Sequence, residues 1–356
     1  MTHAPVTYRG LCLPAAVLCI ALLTSALPAH AQFGLSNPGS ALSIVFTPAT
    51  PRPGEAVTVS VQSSLLNIRD SDVLWEANGK KIAQGKGASS ASVTAGALGA
   101  ETTIVVTVAA QDGMSATAEA VIIPTELDLL VDSDSYTPPF YRGAPRPSAG
   151  TSLRLQAFPR FKRGSAMIPA GELIYTWRRG GEVLGGISGR GKAAAVIPVE
   201  HIFGVDLISV EVRSADDRLA QVSSVSVAAQ VPVLALYENH PLYGVLYHRA
   251  LPNTASVSGA EATFTAVPLF AQARSVYDPA LQFDWRVNSA EIPANPKNPG
   301  ELTINAENSS GVAFIELGVT HATNFFIDAK GAWNVTFSSP WAGTSDQFHQ
   351  SNSLTQ

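Results

Sequence analysis

Three tryptophans recur in one local context along this chain of 356 residues. Each follows a glycine that opens a stretch of alternating apolar and polar residues, and each is followed by a short polar turn. About 30 residues after each tryptophan comes another apolar stretch, and a last one closes the copy. These tryptophans are Trp75, Trp177 and Trp285. Such self-similarity predicts that the chain folds as three copies of one structural unit.

Alternation with a period of two dominates the chain, in segments such as AVTVSVQSS, TTIVVTVAA and VAFIELGVT. This period is typical of half-buried β-strands, and the Gly, Pro, Asn and Asp residues between the segments are typical of turns. One tryptophan on a long strand, facing the opposite sheet, fills the centre of an immunoglobulin-type sandwich. We therefore predict an all-β chain of three tandem immunoglobulin-like β-sandwich domains, with these indoles as the core anchors.

Residues 1–31 have the pattern of a secretory signal peptide. Arg9 supplies a positive charge, LCLPAAVLCIALL is apolar, and AHA at Ala29–Ala31 fits a small-x-small cleavage site. An uncleaved anchor is the alternative, because the apolar run approaches spanning length. Both cysteines, Cys12 and Cys19, lie in this segment, so the rest of the chain has no disulfide and no cysteine-ligated metal. We expect a bacterial protein that is periplasmic or displayed at the cell surface.

We place the three domains at residues 32–124, 125–230 and 231–340, followed by a polar C-terminal tail at 341–356. About 100 residues each is a usual length for a sandwich. The joining segments IIPTELDLL and AAQVPVLAL are too short and too apolar to be flexible linkers. We expect neighbouring domains to pack end to end as a semi-rigid rod. No apolar run after the leader reaches about 18 residues, so no membrane span is expected there.

A related motif opens the second and third predicted domains. It combines proline, an aromatic or aliphatic residue, tyrosine and glycine, at Pro139, Tyr141 and Gly143 and again at Pro241, Tyr243 and Gly244. Proline and glycine interrupt strand pairing. We therefore predict a corner at each domain joint, where the first strand breaks and crosses between sheets. The tyrosine rings would pack on the neighbouring domain and keep their hydroxyls in water.

Glu238, His240 and His248 form the densest group of chemically capable side chains, in YENHPLYGVLYHRAL. In an extended strand the first two would share one face, as metal ligands could. The second domain has no histidine at the matching place, and a glycine corner separates His248. A structural corner is the favoured interpretation, and no metal or cofactor is predicted. Calcium stays an alternative at two DSD sequences, Asp70–Asp72 and Asp132–Asp134, which lack the rest of a calcium loop.

No catalytic residues are predicted. The segment Gly186–Ala193 has the glycine and lysine spacing of a phosphate-binding loop, but Ala193 stands where Ser or Thr must bind Mg²⁺. Neither a Gly-x-Ser-x-Gly nor a His-Glu-x-x-His sequence occurs. A net charge of −5 is not that of a nucleic-acid-binding protein.

The second domain carries clustered basic residues in RFKR, WRR and GRGK. If these turns converge, they form a cationic patch for an anionic polymer or an acidic partner. The favoured interpretation is that they are solvated turn residues interleaved with acids. The candidate interaction residues are Arg163, Arg178, Arg179 and, in the third domain, Tyr247.

Several segments resemble the exported immunoglobulin/PKD-like multi-domain surface proteins of candidate-phylum bacteria. They are PRPGEAVTVSV with WEANGK, YTPPFY with LIYTWRRGGEVLG, and YENHPLYGVLYHRAL with FDWRVN. The resemblance spans nearly all of the chain after the leader. It implies no activity for any residue, and it implies a type IV pilus component as one partner.

The sequence therefore predicts a non-enzymatic envelope protein with a structural, adhesive or surface-assembly role. One alternative is a polysaccharide-binding module that uses Tyr141, Tyr243 and Tyr247 as an aromatic platform. Another is an accessory protein of a type IV pilus or secretion system. The expected partners are other envelope or pilus proteins, or surface glycans.

Overall fold

A computed structural model describes residues 41–200, 204–259, 261–306 and 311–338. These residues form β-strands joined by turns, loops and three single-turn 3-10 helices, at Ile68–Asp70, Ala170–Glu172 and Gly185–Ile187. The predicted signal peptide and the polar tail lie outside the described residues. Within the described ranges, no helix is both long enough and apolar enough to span a bilayer. The chain is an array of tandem immunoglobulin-like sandwiches, as the alternation predicted.

The first sandwich packs a three-stranded sheet, in the order β1-β2-β5, against a four-stranded sheet, in the order β4-β3-β6-β7. Every pairing in it is antiparallel. The strands are β1 (Ser43–Thr47), β2 (Ala56–Gln62), β3 (Asp72–Ala77), β4 (Lys80–Lys86), β5 (Ser90–Thr94), β6 (Thr102–Ala109) and β7 (Ser115–Ile122).

The second sandwich repeats this arrangement, with sheets β15-β9-β8 and β13-β12-β16-β17. A long loop, residues 134–151, joins its first two strands and lies toward the third sandwich. The strands are β8 (Glu126–Ser133), β9 (Ser152–Arg160), β10 (Lys162–Arg163), β11 (Ala166–Met167), β12 (Ile174–Arg179), β13 (Glu182–Val183), β14 (Gly189–Arg190), β15 (Ala194–Pro198), β16 (Val205–Arg213) and β17 (Ala220–Ala228).

The third sandwich has sheets β19-β18-β21-β24 and β20-β26-β25-β22-β23. Strand β20 pairs with β26 in parallel, so the chain crosses from one sheet to the other at residues 251–253. The strands are β18 (Val233–His240), β19 (Gly244–Ala250), β20 (Thr254–Ser258), β21 (Glu261–Leu269), β22 (Leu281–Val287), β23 (Ala290–Ile292), β24 (Glu301–Asn305), β25 (Gly311–His321) and β26 (Asp328–Ser338).

The three tryptophans occupy equivalent positions. They lie on β3, β12 and β22, are at most 2% exposed, and belong to three separate hydrophobic cores. Each indole Nε1 donates to a backbone carbonyl two residues before β5, β15 or β24 in the facing sheet. The accepting carbonyls are those of Ala88 at 2.8 Å, Lys192 at 2.9 Å and Pro299 at 2.9 Å. Each ring therefore fills a core and ties its two sheets together.

We expect Trp75→Ala, Trp177→Ala and Trp285→Ala each to lower the free energy of unfolding of its own sandwich by about 3–5 kcal/mol. Each substitution leaves a cavity and a carbonyl without its donor. Hydrogen exchange of the whole chain, read sandwich by sandwich, measures the loss. The matching Trp→Phe variants keep most of the apolar ring and should lose less. Equal loss of protection in two sandwiches from one Trp→Ala substitution would contradict three independent cores.

Candidate functional site

The second joint brings the loop 134–151 against the third sandwich. Tyr141 packs its ring edge-on against Phe270, with centroids 5.8 Å apart. Pro139 and Gly143 are exposed in the same loop. A Cβ on Gly143 would lie 2.8 Å from the Tyr141 ring, so glycine lets that ring fold back over the loop. In this motif the tyrosine ring does pack on the neighbouring sandwich.

The matching motif in the third sandwich is placed differently, which corrects the predicted corner. Pro241, Tyr243 and Gly244 form the tip of the β18–β19 hairpin, and both strands belong to one sheet. The joint lies at the other end of β18, where Val233 pairs with Leu269. Gly244 supplies a left-handed turn residue with φ 68°, and proline with glycine serves a hairpin as well as a crossing. The tip is therefore exposed, and Tyr243 is 77% accessible.

Two of the three residues considered as metal ligands, Glu238 and His240, make other contacts. The Glu238 carboxylate lies 3.9 Å from Arg249, and His240 Nδ1 accepts the N–H of Leu242 at 3.1 Å. The His240 ring stacks on Tyr243 with centroids 4.7 Å apart. Within the described ranges, no three His, Cys, Asp or Glu side chains gather closely enough to hold a metal ion.

The two DSD sequences place their carboxylates on protein donors. Asp70 accepts from the Asn67 amide at 2.6 Å. Asp132 pairs with Arg154 at 2.6 Å, and Asp134 accepts the N–H of Ser152 at 2.7 Å. These carboxylates thus serve local turns and strand pairing.

The three candidate arginines are ion-paired, which argues against a free cationic patch. Arg163 contacts Asp216 at 2.8 Å, and Arg178 lies 3.9 Å from Glu211. Arg179 meets Asp206 through two nitrogens, at 2.7 and 3.0 Å, and this pairing raises the pKa of its guanidinium. The acids come from neighbouring strands and turns that local sequence does not reveal. These arginines are therefore interleaved with acidic residues and do not form a free cationic patch.

The structure instead gathers five tyrosines at the second joint. The tyrosine cluster consists of Tyr136, Tyr141, Tyr237, Tyr247 and Tyr277. Tyr237 is buried with Val267 and Val276, and Tyr136 and Tyr247 pack on this small core. The Tyr237 and Tyr247 rings are 5.5 Å apart, at 60°. Two sandwiches therefore contribute to one aromatic group on the outer face of the β19-β18-β21-β24 sheet.

Burial raises the pKa values of Tyr136, Tyr237, Tyr247 and Tyr277 in this cluster. It raises the pKa of Tyr136 to about 12, and the nearby phenols of Tyr247, Tyr277 and Tyr237 add to the effect. Burial also raises the pKa values of Tyr247 and Tyr277, and the negative charge of Glu301 raises them further. The raised pKa values extend the pH range over which Tyr136, Tyr247 and Tyr277 stay protonated hydrogen-bond donors.

Glu301 is the polar centre of the cluster. Its carboxylate accepts from the Tyr277 hydroxyl at 3.2 Å, the Asn298 amide at 2.9 Å and the Asn239 amide at 3.4 Å. Strand register places Glu301 beside Thr265, and Thr265 beside Tyr237, so the three side chains share one face. The carboxylate is thus fixed by groups from β18 and from the loops that precede β22 and β24.

Phe270 holds the joint together. Its N–H donates to the Tyr136 carbonyl at 2.7 Å, and its own carbonyl accepts from the Ser148 hydroxyl at 2.6 Å. The Arg146 guanidinium lies 5.9 Å from its ring centroid, within cation–π range. Its φ of 65° is a left-handed conformation that a bulky residue keeps only where its surroundings impose it. Here both backbone groups and the ring are engaged.

A polar cleft of about 820 Å³ lies beside the cluster, between the second and third sandwiches. Its lining includes Tyr136, Arg154, Arg274, Asp278 and His321. Backbone N–H groups of Arg274 and Ala280 bond the Asp278 carboxylate and hold its pKa below the usual range. His321 Nδ1 accepts the N–H groups of Thr323 and Asn324, at 3.2 and 3.0 Å. The cleft therefore offers fixed polar groups.

Sequence reasoning named Tyr141 and Tyr247 but missed Tyr136, Tyr237 and Tyr277. A signal existed for Tyr237, because alternation with Leu234 and Leu236 puts it on the opposite face of its strand. No local signal links Tyr136 to Tyr277, since they lie in different sandwiches and meet only through the joint.

No known protein family matches the sequence, and no curated protein does. Among solved structures, the chain is similar to the three N-terminal domains of the bacteriophage RB49 outer capsid protein Hoc, at 13% identity and a TM-score of 0.25, covering 84% of this chain and 98% of that one. It is also similar to fibronectin(III)-like modules of Clostridium thermocellum CbhA, at 16% identity and a TM-score of 0.26, covering 52% and 94%. The central fibronectin-III array of RIM-binding protein aligns at 9% identity and a TM-score of 0.29, covering 80% and 93%. At these scores the likenesses carry no argument about function.

We expect the Tyr136 phenol to make stability fall at alkaline pH. Its pKa is raised from 10.0 to about 12 in the folded chain, so the unfolded chain loses this proton first. The stabilisation is complete below about pH 10 and is lost as the pH rises through 12. Urea unfolding measured between pH 9 and 12 by near-ultraviolet circular dichroism should show this decline, less steeply in Tyr136→Phe. An equal decline in both proteins would contradict the assignment.

We expect Thr265→Val to stabilise the third sandwich by about 1 kcal/mol, because it removes a buried hydroxyl that lacks a hydrogen bond. Thr265 is fully buried, and its Oγ1 has no hydrogen-bond partner among the described residues. Thr263 is the matched control, since its hydroxyl bonds that of Thr303 at 2.9 Å. Thr263→Val should not stabilise. Urea titration of both variants measures the difference, and destabilisation by Thr265→Val would show that its hydroxyl is satisfied.

Proposed function

We propose that this chain is a non-enzymatic, exported spacer of the bacterial envelope. Its three sandwiches would form a semi-rigid rod with a structural, adhesive or surface-assembly role, and would hold the second joint at a set distance from the envelope. The observation that carries this proposal is that both joints are closed by buried hydrogen bonds between neighbouring sandwiches. We keep 32–124, 125–230 and 231–340 as the proposed domain limits.

At the first joint, both ends of the Gln221 side-chain amide, from the second sandwich, form hydrogen bonds. Its Oε1 accepts from the Thr50 hydroxyl of the first sandwich at 2.6 Å, and its Nε2 donates to the Thr125 carbonyl at 3.0 Å. The Thr125 hydroxyl donates to the Ala220 carbonyl at 3.0 Å, and its N–H donates to the Pro51 carbonyl at 3.3 Å. Gln221 and Thr125 are at most 4% exposed. Bending here would expose or unpair buried polar groups, which costs about 1–3 kcal/mol for each group.

At the second joint, the loop 134–151 extends the contact over the third sandwich. Tyr136 donates its N–H to Ala271 and accepts that of Phe270, as neighbouring strands do. Asn324 donates through Nδ2 to the Ala149 carbonyl at 2.9 Å and to the Gln272 amide oxygen at 2.9 Å. The Tyr136 bonds and the Asn324–Ala149 bond cross the interface at separate places, so they resist rotation as well as bending, while the bond to Gln272 holds the Asn324 amide within the third sandwich.

The joining segments leave little freedom. Strand β7 ends at Ile122 and β8 begins at Glu126, while β17 ends at Ala228 and β18 begins at Val233. Connections this short keep neighbouring sandwiches in contact. A fixed spacing between modules is the property that a display or assembly role requires.

We expect spin labels on the second and third sandwiches to give one narrow distance distribution. Glu182→Cys and Glu291→Cys supply exposed label sites, and the chain without residues 1–31 has no cysteine of its own. Combining Phe270→Ala with Asn324→Ala should broaden the distribution, because the joint loses its aromatic contact and its amide bonds. Tyr243→Ala, at the hairpin tip, is the control and should change nothing. A broad distribution in the parent chain would overturn the rod.

The envelope role is tested on cells. A flexible Gly-Ser segment inserted between residues 229 and 233, combined with Phe270→Ala and Asn324→Ala, removes both the short connection and the contacts that hold the second joint. We expect the chain to be exported and folded, yet to lose attachment or assembly at the surface. Unchanged attachment would show that rigidity at this joint is not what the role needs.

A further inference from the structure

The tyrosine cluster combines accessible aromatic rings with fixed polar groups. Tyr277 is 50% exposed and Tyr141 37%, while Tyr247 is half-buried beside them in the same cluster. A tyrosine presents an apolar ring and a polar tip. Sugar rings have the matching character, since their C–H faces pack on aromatic rings while their hydroxyls need donors and acceptors.

The polar groups of the cluster suit vicinal hydroxyls. The Glu301 carboxylate accepts hydrogen bonds. The Asn239 and Asn298 amides can both donate and accept them. Asn239, Asn298 and Tyr277 each already donate a hydrogen bond to Glu301. Groups held in place before a ligand arrives lose little conformational freedom on binding.

We propose that this cluster binds a neutral polysaccharide, a site that adds to the spacer role. Glu301 places a negative charge at its centre. The chain as a whole carries a net charge of −5. At the cluster the Glu301 charge repels an acidic polysaccharide but not a neutral one. The adjoining cleft has no single sign of charge, because Arg154 and Arg274 line it together with Asp134 and Asp278.

The adjoining cleft favours a chain of sugars over a single one. Tyr136 packs in the cluster and also lines the 820 Å³ cleft, so the two are continuous. The cleft volume falls within the range of ligand pockets, and its hydroxyl, amide and guanidinium groups are suited to sugar hydroxyls. A polysaccharide could contact the tyrosines with some rings and the cleft with others.

Affinity electrophoresis of the purified chain tests this proposal, with galactomannan, arabinoxylan or dextran in the gel and polygalacturonate as the acidic comparator. We expect at least one neutral polysaccharide to retard migration. Tyr247→Ala, Tyr277→Ala and Glu301→Gln should each weaken that binding by about tenfold or more, as loss of a central contact does. Tyr243→Ala is the matched control, a more exposed tyrosine outside the cluster, and should bind as the parent does.

Thermal unfolding of each variant separates lost binding from lost folding, and Tyr277→Phe keeps the ring while removing only its bond to Glu301. Retardation by none of the three neutral polysaccharides, or by polygalacturonate alone, would overturn the proposal. So would equal losses in Tyr243→Ala and Tyr277→Ala. The spin-label distances report on the spacer independently, so a rigid rod that binds no sugar would leave the spacer proposal standing.

Discussion

Each sandwich depends on one buried indole. Enclosing a tryptophan ring contributes about 4–5 kcal/mol as an upper value, at about 25 cal/mol per Å². The indole N–H also reaches the carbonyl ahead of the facing edge strand, so one side chain connects two sheets. Because both cysteines lie in the predicted leader, no disulfide assists this contact in residues 41–338. The same bond recurs three times, which makes the array a repetition of one solution for closing a sandwich.

The joints connect neighbouring sandwiches through buried contacts, as the indoles connect the two sheets of each sandwich. The loop 134–151 leaves the second sandwich and lies on the outer face of a sheet in the third. That face would otherwise expose Tyr237 and Val267 to water. Covering it both closes the joint and assembles the tyrosine cluster, so the proposed rigidity and the proposed sugar binding depend on one contact. Substitutions at Phe270 act first on the joint, whereas changes at Tyr277 act on the surface beside it.

Much of the architecture could be predicted from local pattern, and the candidate site could be predicted only in part. Strand alternation and the spacing of Trp75, Trp177 and Trp285 depend on neighbours in sequence, so they are readable without coordinates. The crossing between sheets was expected at Pro241–Gly244 but occurs at residues 251–253, because proline and glycine favour a hairpin and a crossing alike. The particular acids that pair with Arg179 and Arg163 could not be predicted, since Asp206 and Asp216 approach these arginines only through folding.

By itself the sequence determined the all-β class, the three tryptophan-centred units and the expectation of short, apolar joints, because these follow from periodicity and burial along each strand. Only the tertiary structure decided which tyrosines meet. Tyr136 and Tyr277 are separated by a whole sandwich in sequence, and they come together because Phe270 and Ala271 pair with the backbone of a loop from the preceding unit. Contacts between units depend on geometry that no local pattern encodes.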